Sequence, residues 1–149
     1  TIIALLTGII LTNLVGSKAK SRDAQRASDL AQIQLALEQY FDRCDQYPNP
    51  NGSLWSGSLS DIDEGCPTGV SLASFISVLP KDPLNTGSYV YGYAINLSTG
   101  PTDYVLYAVF EGNNAVIARS APNPSGTWFQ TSQFDCKAAS QFHYCVRPD

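Results

Sequence analysis

The sequence is poor in the groups that carry chemistry. Its 149 residues include one histidine, His143. Acid–base catalysis needs oriented partners, so a lone histidine beside Cys145 reads as a surface residue rather than a catalyst. No G-x-x-x-x-G-K, H-E-x-x-H or G-x-S-x-G stretch occurs, which removes the common phosphate-loop, zinc-protease and hydrolase patterns. No two cysteines stand in C-x-x-C spacing, which argues against a zinc knuckle or a thioredoxin-like site. The one acidic cluster, Asp61-Ile62-Asp63-Glu64, lacks the EF-hand pattern and reads as a solvated loop. The expectation is a protein that is not an enzyme, with no cofactor and no metal.

Charge is also sparse and unevenly placed. Charged residues make up 15% of the chain, and the net charge is −4. Residues 1–17 carry no charge, whereas residues 1–43 as a whole sum to +1. Residues 44–149 hold four basic and nine acidic residues, a net −5. An acidic body argues against nucleic-acid binding. The basic cluster Lys18, Lys20, Arg22 and Arg26 could meet phosphate or lipid headgroups, but Asp23 interrupts it.

Proline is absent before Pro48, so nothing breaks a helix over 1–44. Leu30, Ile33, Leu37, Tyr40, Phe41 and Cys44 recur at helical spacing and form one apolar stripe. Gln25, Gln32, Gln39 and Asp29 are placed on the opposite, polar side. Thr1 to Gly16 is instead apolar all round, the pattern of a helix in lipid or deep in an assembly. A 44-residue helix is about 66 Å long, more than a domain of this size covers. No A-x-A-like cleavage site follows the apolar run, so a signal peptide is rejected. A single-pass anchor stays open.

The four cysteines are Cys44, Cys66, Cys136 and Cys145. An even count behind an apolar N-terminus points to disulfides and an oxidising compartment. Three pairings are possible; Cys44–Cys66 with Cys136–Cys145 is favoured because each closes a local loop. Four buried free thiols are the alternative.

Residues 45–86 are rich in Pro, Gly, Ser, Asn and Asp and read as a loop. Within it, Ser71 to Val78 fits a short helix capped by Ser71 and stopped by Leu79-Pro80-Lys81-Asp82-Pro83. Over 88–119 the period changes to that of strands. Tyr89–Ile95, Tyr104–Phe110 and Ala115–Ala118 read as an antiparallel meander, one face on the helix stripe and the other needing a cover. Residues 120–149 read as a region pinned to the sheet by a Cys136–Cys145 loop, with aromatics at Trp128, Phe129, Phe134, Phe142 and Tyr144. Asn51-Gly52-Ser53 and Asn96-Leu97-Ser98 fit the glycosylation sequon, a pattern common by chance. The fold class expected is α+β: a long N-terminal helix on a three- to four-stranded antiparallel sheet, with a disulfide-closed C-terminal region.

Ser21-Arg22-Asp23-Ala24-Gln25-Arg26, Ser28-Asp29-Leu30, Ile33-Gln34-Leu35-Ala36-Leu37-Glu38-Gln39-Tyr40-Phe41 and Gln46-Tyr47-Pro48 together resemble type IV pilins and the major pseudopilins of type II secretion. Leu79-Pro80-Lys81-Asp82-Pro83 followed by Tyr89, Tyr91 and Tyr93 is similar to the major-pseudopilin pattern. The resemblance covers 1–48 strongly and 79–112 moderately. It implies residues 1–20 as a filament-core or transmembrane segment and 21–149 as a globular head. It implies a subunit held in the cytoplasmic membrane, processed by a prepilin peptidase and polymerised by assembly machinery into a homopolymeric extracellular filament. Ile2, Ile3, Leu5, Leu6, Ile9, Ile10, Leu11, Leu14 and Val15 would then pack in the filament core. Registered on Arg22-Asp23-Ala24, the family pattern places about ten further residues before Thr1, by typical span length. Among the functions it leaves open are a major pilin, a major pseudopilin and a membrane-anchored adhesin that never polymerises.

Elementary energetics agree. Removing 16 mostly apolar residues from water is worth on the order of 20 kcal/mol at ~25 cal/mol per Å². Transfer from lipid yields far less, so assembly from a membrane would rest on helix packing and need a machine.

Overall fold

The computed structural model describes residues 2–49, 55–56, 66, 70–96, 101–124, 135–136 and 142–148; for 2–15 and 55–56 the backbone alone is described. The chain is an α+β fold, one N-terminal helix packed on an antiparallel sheet. Helix α1 runs Ile2–Cys44, 43 residues, or about 65 Å at 1.5 Å per residue. The side chains expected at a filament core, Ile2 through Val15, lie outside the described residues. Among the described residues, no helix is long and apolar enough to cross a membrane.

The stripe expected on the second half of α1 is the buried face. Leu30, Ile33 and Leu37 are fully buried, with Ala36 and Tyr40 beside them, and Phe41 and Cys44 are partly covered. Gln25, Gln32 and Gln39 are exposed. Asp29 departs from expectation: it is buried, not solvated. The helix ends where Asp45 turns to φ 54, its N–H donating to the Phe41 carbonyl at 2.8 Å. Aspartate tolerates this left-handed conformation better than most residues. Tyr47-Pro48 then directs the chain onward as extended backbone.

The sheet has a three-stranded body: β2 (Gly92–Ile95), β3 (Tyr104–Phe110) and β4 (Phe142–Val146). A two-residue β1 (Trp55–Ser56) is added at the β2 edge, and all neighbours are antiparallel in the order β1-β2-β3-β4. β3 has the bounds its alternation predicts. β2 is shorter than expected, because Tyr89 closes a turn with Thr86, its N–H donating to the Thr86 carbonyl at 3.0 Å, and the strand begins only at Gly92. Ala115–Ala118 is not a strand; a 3-10 turn occupies Ile117–Arg119. Its cause is local. The Asn114 side chain accepts from the Val116 N–H at 2.9 Å and its carbonyl accepts from the Ile117 N–H at 3.1 Å. That bends the chain away, and Phe142–Val146 takes the place beside β3.

Burial of β3 is almost continuous because both faces are covered. Tyr104, Leu106, Ala108 and Phe110 join the helix-side core with Tyr93 and Ile95. Val105 and Val109 join Ala94, Cys136 and Cys145 on the far face. The cover that this face needs thus includes the Cys136–Cys145 disulfide, which closes across β4. Gly92 leaves the space into which its cross-strand partner Tyr107 folds its ring; any Cβ there would displace that ring.

The second disulfide joins Cys44 to Cys66 and ties the end of α1 to the following loop. In that loop the helix expected over 71–78 is a single 3-10 turn, Leu72–Ser74, and Ser71 makes no side-chain capping bond. Leu72 is buried and Phe75 meets Tyr40 edge-on at 6.3 Å. The expected acidic loop at 61–64, the sequon at 51–53 and the aromatics Trp128, Phe129 and Phe134 lie outside the described residues.

Candidate functional site

The resemblance motif Arg22-Asp23-Ala24-Gln25-Arg26 lies where α1 first touches the rest of the chain. On a helix, residues 22 and 23 share a face with 26, and that face meets two loops. Arg26 is fully buried. Its Nε and Nη2 donate to the two oxygens of Asp82, at 2.6 and 3.0 Å. Its Nη1 donates to Asp23 at 2.7 Å and to Glu111 at 2.8 Å. Tyr89 places its ring 4.9 Å from the guanidinium carbon, a cation–π distance. Arg22 forks onto Glu111 through Nε, at 2.6 Å, and Nη2.

The carboxylates also organise backbone. Asp82 lies between Pro80 and Pro83 and accepts from the Leu84 N–H at 2.8 Å, a side-chain-closed turn. Asp23 accepts from the N–H groups of Glu111 at 2.9 Å and Gly112 at 3.2 Å, where β3 ends. A buried guanidinium needs such partners, since an unpaired charge there is costly. Burial works to lower the Arg26 pKa, and the bonds from Asp82, Glu111 and Asp23 outweigh it, so it is held above its ordinary value. The Arg22 bond, against the opposing effect of burial and with help from Arg26, pulls the Glu111 carboxyl down to about 2. Two of the four residues of the basic cluster are therefore engaged inside the chain. Lys18 and Lys20 are exposed.

One turn on, Asp29 accepts from the Tyr91 hydroxyl at 2.6 Å. Burial, then the Asp29 carboxylate, raises the Tyr91 pKa. Further along, the stripe becomes aromatic. Tyr47 packs on Tyr104 at 4.6 Å and on Phe41 at 4.7 Å. Both tyrosine hydroxyls donate to Glu38, Tyr47 at 2.9 Å and Tyr104 at 3.0 Å. The Tyr93 hydroxyl donates to the Pro48 carbonyl at 2.9 Å, closing the loop over the helix end.

His143 is not the surface residue expected. It is buried in β4, and its Nδ1–H donates to the Asp135 carbonyl at 2.5 Å. Among the described residues no group of three or more His, Cys, Asp or Glu side chains is placed to hold a metal ion. The arrangement as a whole fastens one helix to two loops and a sheet.

Sequence reasoning missed Asp82 and Glu111 as partners of the motif. Asp82 carried one signal, a lone acid between two prolines, and Glu111 carried none beyond its place at a strand end. Compared with family models, with curated proteins and with solved structures, the chain matches none.

Proposed function

We propose that this chain is the major structural subunit of a type IV pilus, polymerising through the apolar first half of α1. The observation that carries the reading is the division of one continuous helix. The contacts described between α1 and the body begin at Arg22, while Gly16, Ser17, Lys18, Lys20 and Ser21 are exposed. Residues 2–21 extend a further ~30 Å at 1.5 Å per residue, with a sequence apolar on all sides up to Gly16. Such a segment suits lipid before assembly and neighbouring copies after it. The two disulfides suit an oxidising, extracytoplasmic site for the head. Membrane residence, leader processing and an assembly machine are parts of the same proposal.

A second reading, a major pseudopilin of a secretion system, draws on the Leu79–Pro83 pattern, whose Asp82 holds Arg26. Electron microscopy of sheared surface material separates the two. Long filaments labelled by antibody to this chain are expected. Absence of filaments together with failed secretion on deletion selects the pseudopilin. A chain that stays monomeric in detergent and forms no filament under any condition is a membrane-anchored binding domain instead. A fragment beginning at Ser21 should be a soluble monomer, and filaments from it would overturn the role given to residues 1–16.

A further inference from the structure

Charge is divided along α1. Near the point where the contacts between α1 and the body begin stand Lys18, Lys20 and Lys81, all exposed and with no ion pair among the described residues. Lys81 belongs to this end because it precedes Asp82, which binds Arg26 at 2.6 Å. In the sequence Asp23 interrupts the basic cluster, but in the fold its carboxylate is buried against Arg26. Asp82 and Glu111 are likewise turned inward onto Arg26. With Arg22 and Arg26 included, the five cations and three carboxylates of this end sum to +2. The remainder of the chain holds four basic and ten acidic residues, a net −6. On α1 itself, Glu38 and Asp42 lie about 27 Å or more beyond Lys20.

The loop after Lys81 adds an uncharged tip. Asp82 is the last charged residue before Asp103. Residues 84–88 are all exposed, Leu84 among them. The tip is braced. The Leu84 N–H donates to Asp82 at 2.8 Å, and the Tyr89 N–H donates to the Thr86 carbonyl at 3.0 Å. Asn85 and Gly87 hold left-handed φ values of 47 and 59° between these bonds.

We infer that, in the membrane-held subunit, this end of the head seats on an anionic lipid surface. Lys18, Lys20 and Lys81 meet headgroup phosphates there, and Leu84 rests in the interfacial layer. The inference rests on the membrane residence in the function proposed above, not on polymerisation. Lys18 and Lys20 point to opposite sides of α1, which suits a surface that surrounds an emerging helix. Counted from Gly16, the end of the apolar run, they stand about 3 and 6 Å out, within a headgroup layer about 5–8 Å deep. Lys81, at the level of Arg26, stands about 15 Å out when the helix is upright. Helices in bilayers tilt by about 0–40°. A tilt towards the body lowers Lys81 and Leu84, and the long lysine stem spans what is left. The acidic remainder is repelled by the same surface, so the division of charge orients the head.

The test uses the full chain reconstituted into vesicles of phosphatidylcholine alone or with about a third phosphatidylglycerol. All four native cysteines are paired, so Leu84→Cys supplies a single thiol for an environment-sensitive dye. Lipids spin-labelled on the headgroup should quench that dye several-fold more in the anionic vesicles, and high salt should abolish the difference. The same dye on Leu35→Cys, on the outer part of the helix, should stay unquenched in both. Lys81→Gln should lower the ratio of seated to unseated heads roughly fivefold, the effect of one cation near such a surface. A Leu84 dye that remains in water in anionic vesicles, or is quenched equally in both, overturns the docking and leaves membrane residence standing. A chain that floats with neither kind of vesicle overturns membrane residence, and the docking with it. Release of the dye from anionic vesicles by duplex DNA at equal phosphate overturns the lipid assignment and gives the basic end to nucleic acid.

Discussion

The buried stripe of α1 is fastened to the body by opposite chemistries at its two ends. At the N-terminal end Asp23, Arg26 and Asp29 face inward and meet Asp82, Glu111 and Tyr91. At the C-terminal end Leu37 and Tyr40 face inward and meet an aromatic cluster around Tyr104 and Tyr93. The aromatic end gains from removing area from water and is tolerant of small shifts. The charged end gains little net free energy, because desolvation offsets much of the attraction. What it supplies is register. A guanidinium bound by three carboxylates from three segments fits one rotation of the helix and one placement of the loops. That fixed rotation is set where the contacts described between α1 and the body begin, at Arg22, Asp23 and Arg26.

The largest test removes Arg26. Arg26→Ala leaves Asp23, Asp82 and Glu111 facing one another with one neighbouring cation, Arg22. Breaking a buried charge network in this way costs about 3–5 kcal/mol, measured by urea denaturation. A loss under about 1 kcal/mol would place the network with ordinary surface pairs and erase the contrast between the ends. The aromatic end has its own clamp. Replacing Cys44 and Cys66 by serine should cost about 2–4 kcal/mol, mainly by freeing the unfolded chain. Hydrogen exchange should then rise around Tyr40 and Phe75, with the charged end unaffected.

How much of this was legible follows the same division. The aromatic end was readable because apolar residues at helical spacing announce their face, as Leu30, Ile33, Leu37 and Tyr40 did. The charged end has the same spacing: 23, 26, 30, 33, 37 and 40 form one stripe. Charge outweighs period in the reading that offers Arg22 and Arg26 to phosphate or lipid headgroups, and Asp29 goes to the polar side for the same reason. Periodicity alone would have placed Asp23 and Arg26 inside. The strand at Phe142–Val146 was hidden by a different cause. Its pairing with β3 is long-range, while Ala115–Ala118 offered an equally apolar run nearer in sequence. Asn114 turns the chain locally, while Asp23 holds the β3 end from 89 residues away, a contact that no local pattern encodes.

Acid should act on the charged end first. The Glu111 carboxyl is lowered from its ordinary 4.5 to about 2 in the folded chain. A group whose folded pKa is depressed contributes its full stability above the unfolded value and loses it as pH falls through the folded one. The contribution of Glu111 is therefore complete above about pH 4.5 and lost progressively towards pH 2. Glu111→Gln should flatten the stability profile across that window in a denaturation series and leave its slope above pH 6 unchanged. An identical acid slope in the variant would assign the loss to other carboxylates.

The smallest effects locate the boundary between the two ends. Tyr91→Phe and Tyr104→Phe each remove one hydroxyl and no carbon, so packing is kept and the hydrogen bond alone is tested. They differ in what is left behind. Tyr91 is the one donor to buried Asp29 among the described residues. Its loss should cost about 2 kcal/mol, because a buried acceptor is stranded. Glu38 keeps the Tyr47 hydroxyl when Tyr104 loses its own, and its side chain is partly exposed to water. Tyr104→Phe should cost about 1 kcal/mol or less. If the two variants lose the same amount, Asp29 finds other solvation, and the charged chemistry of the helix ends at Arg26. If Tyr91→Phe loses clearly more, the polar stripe extends through Asp29, and Leu30 is the first residue of the apolar half.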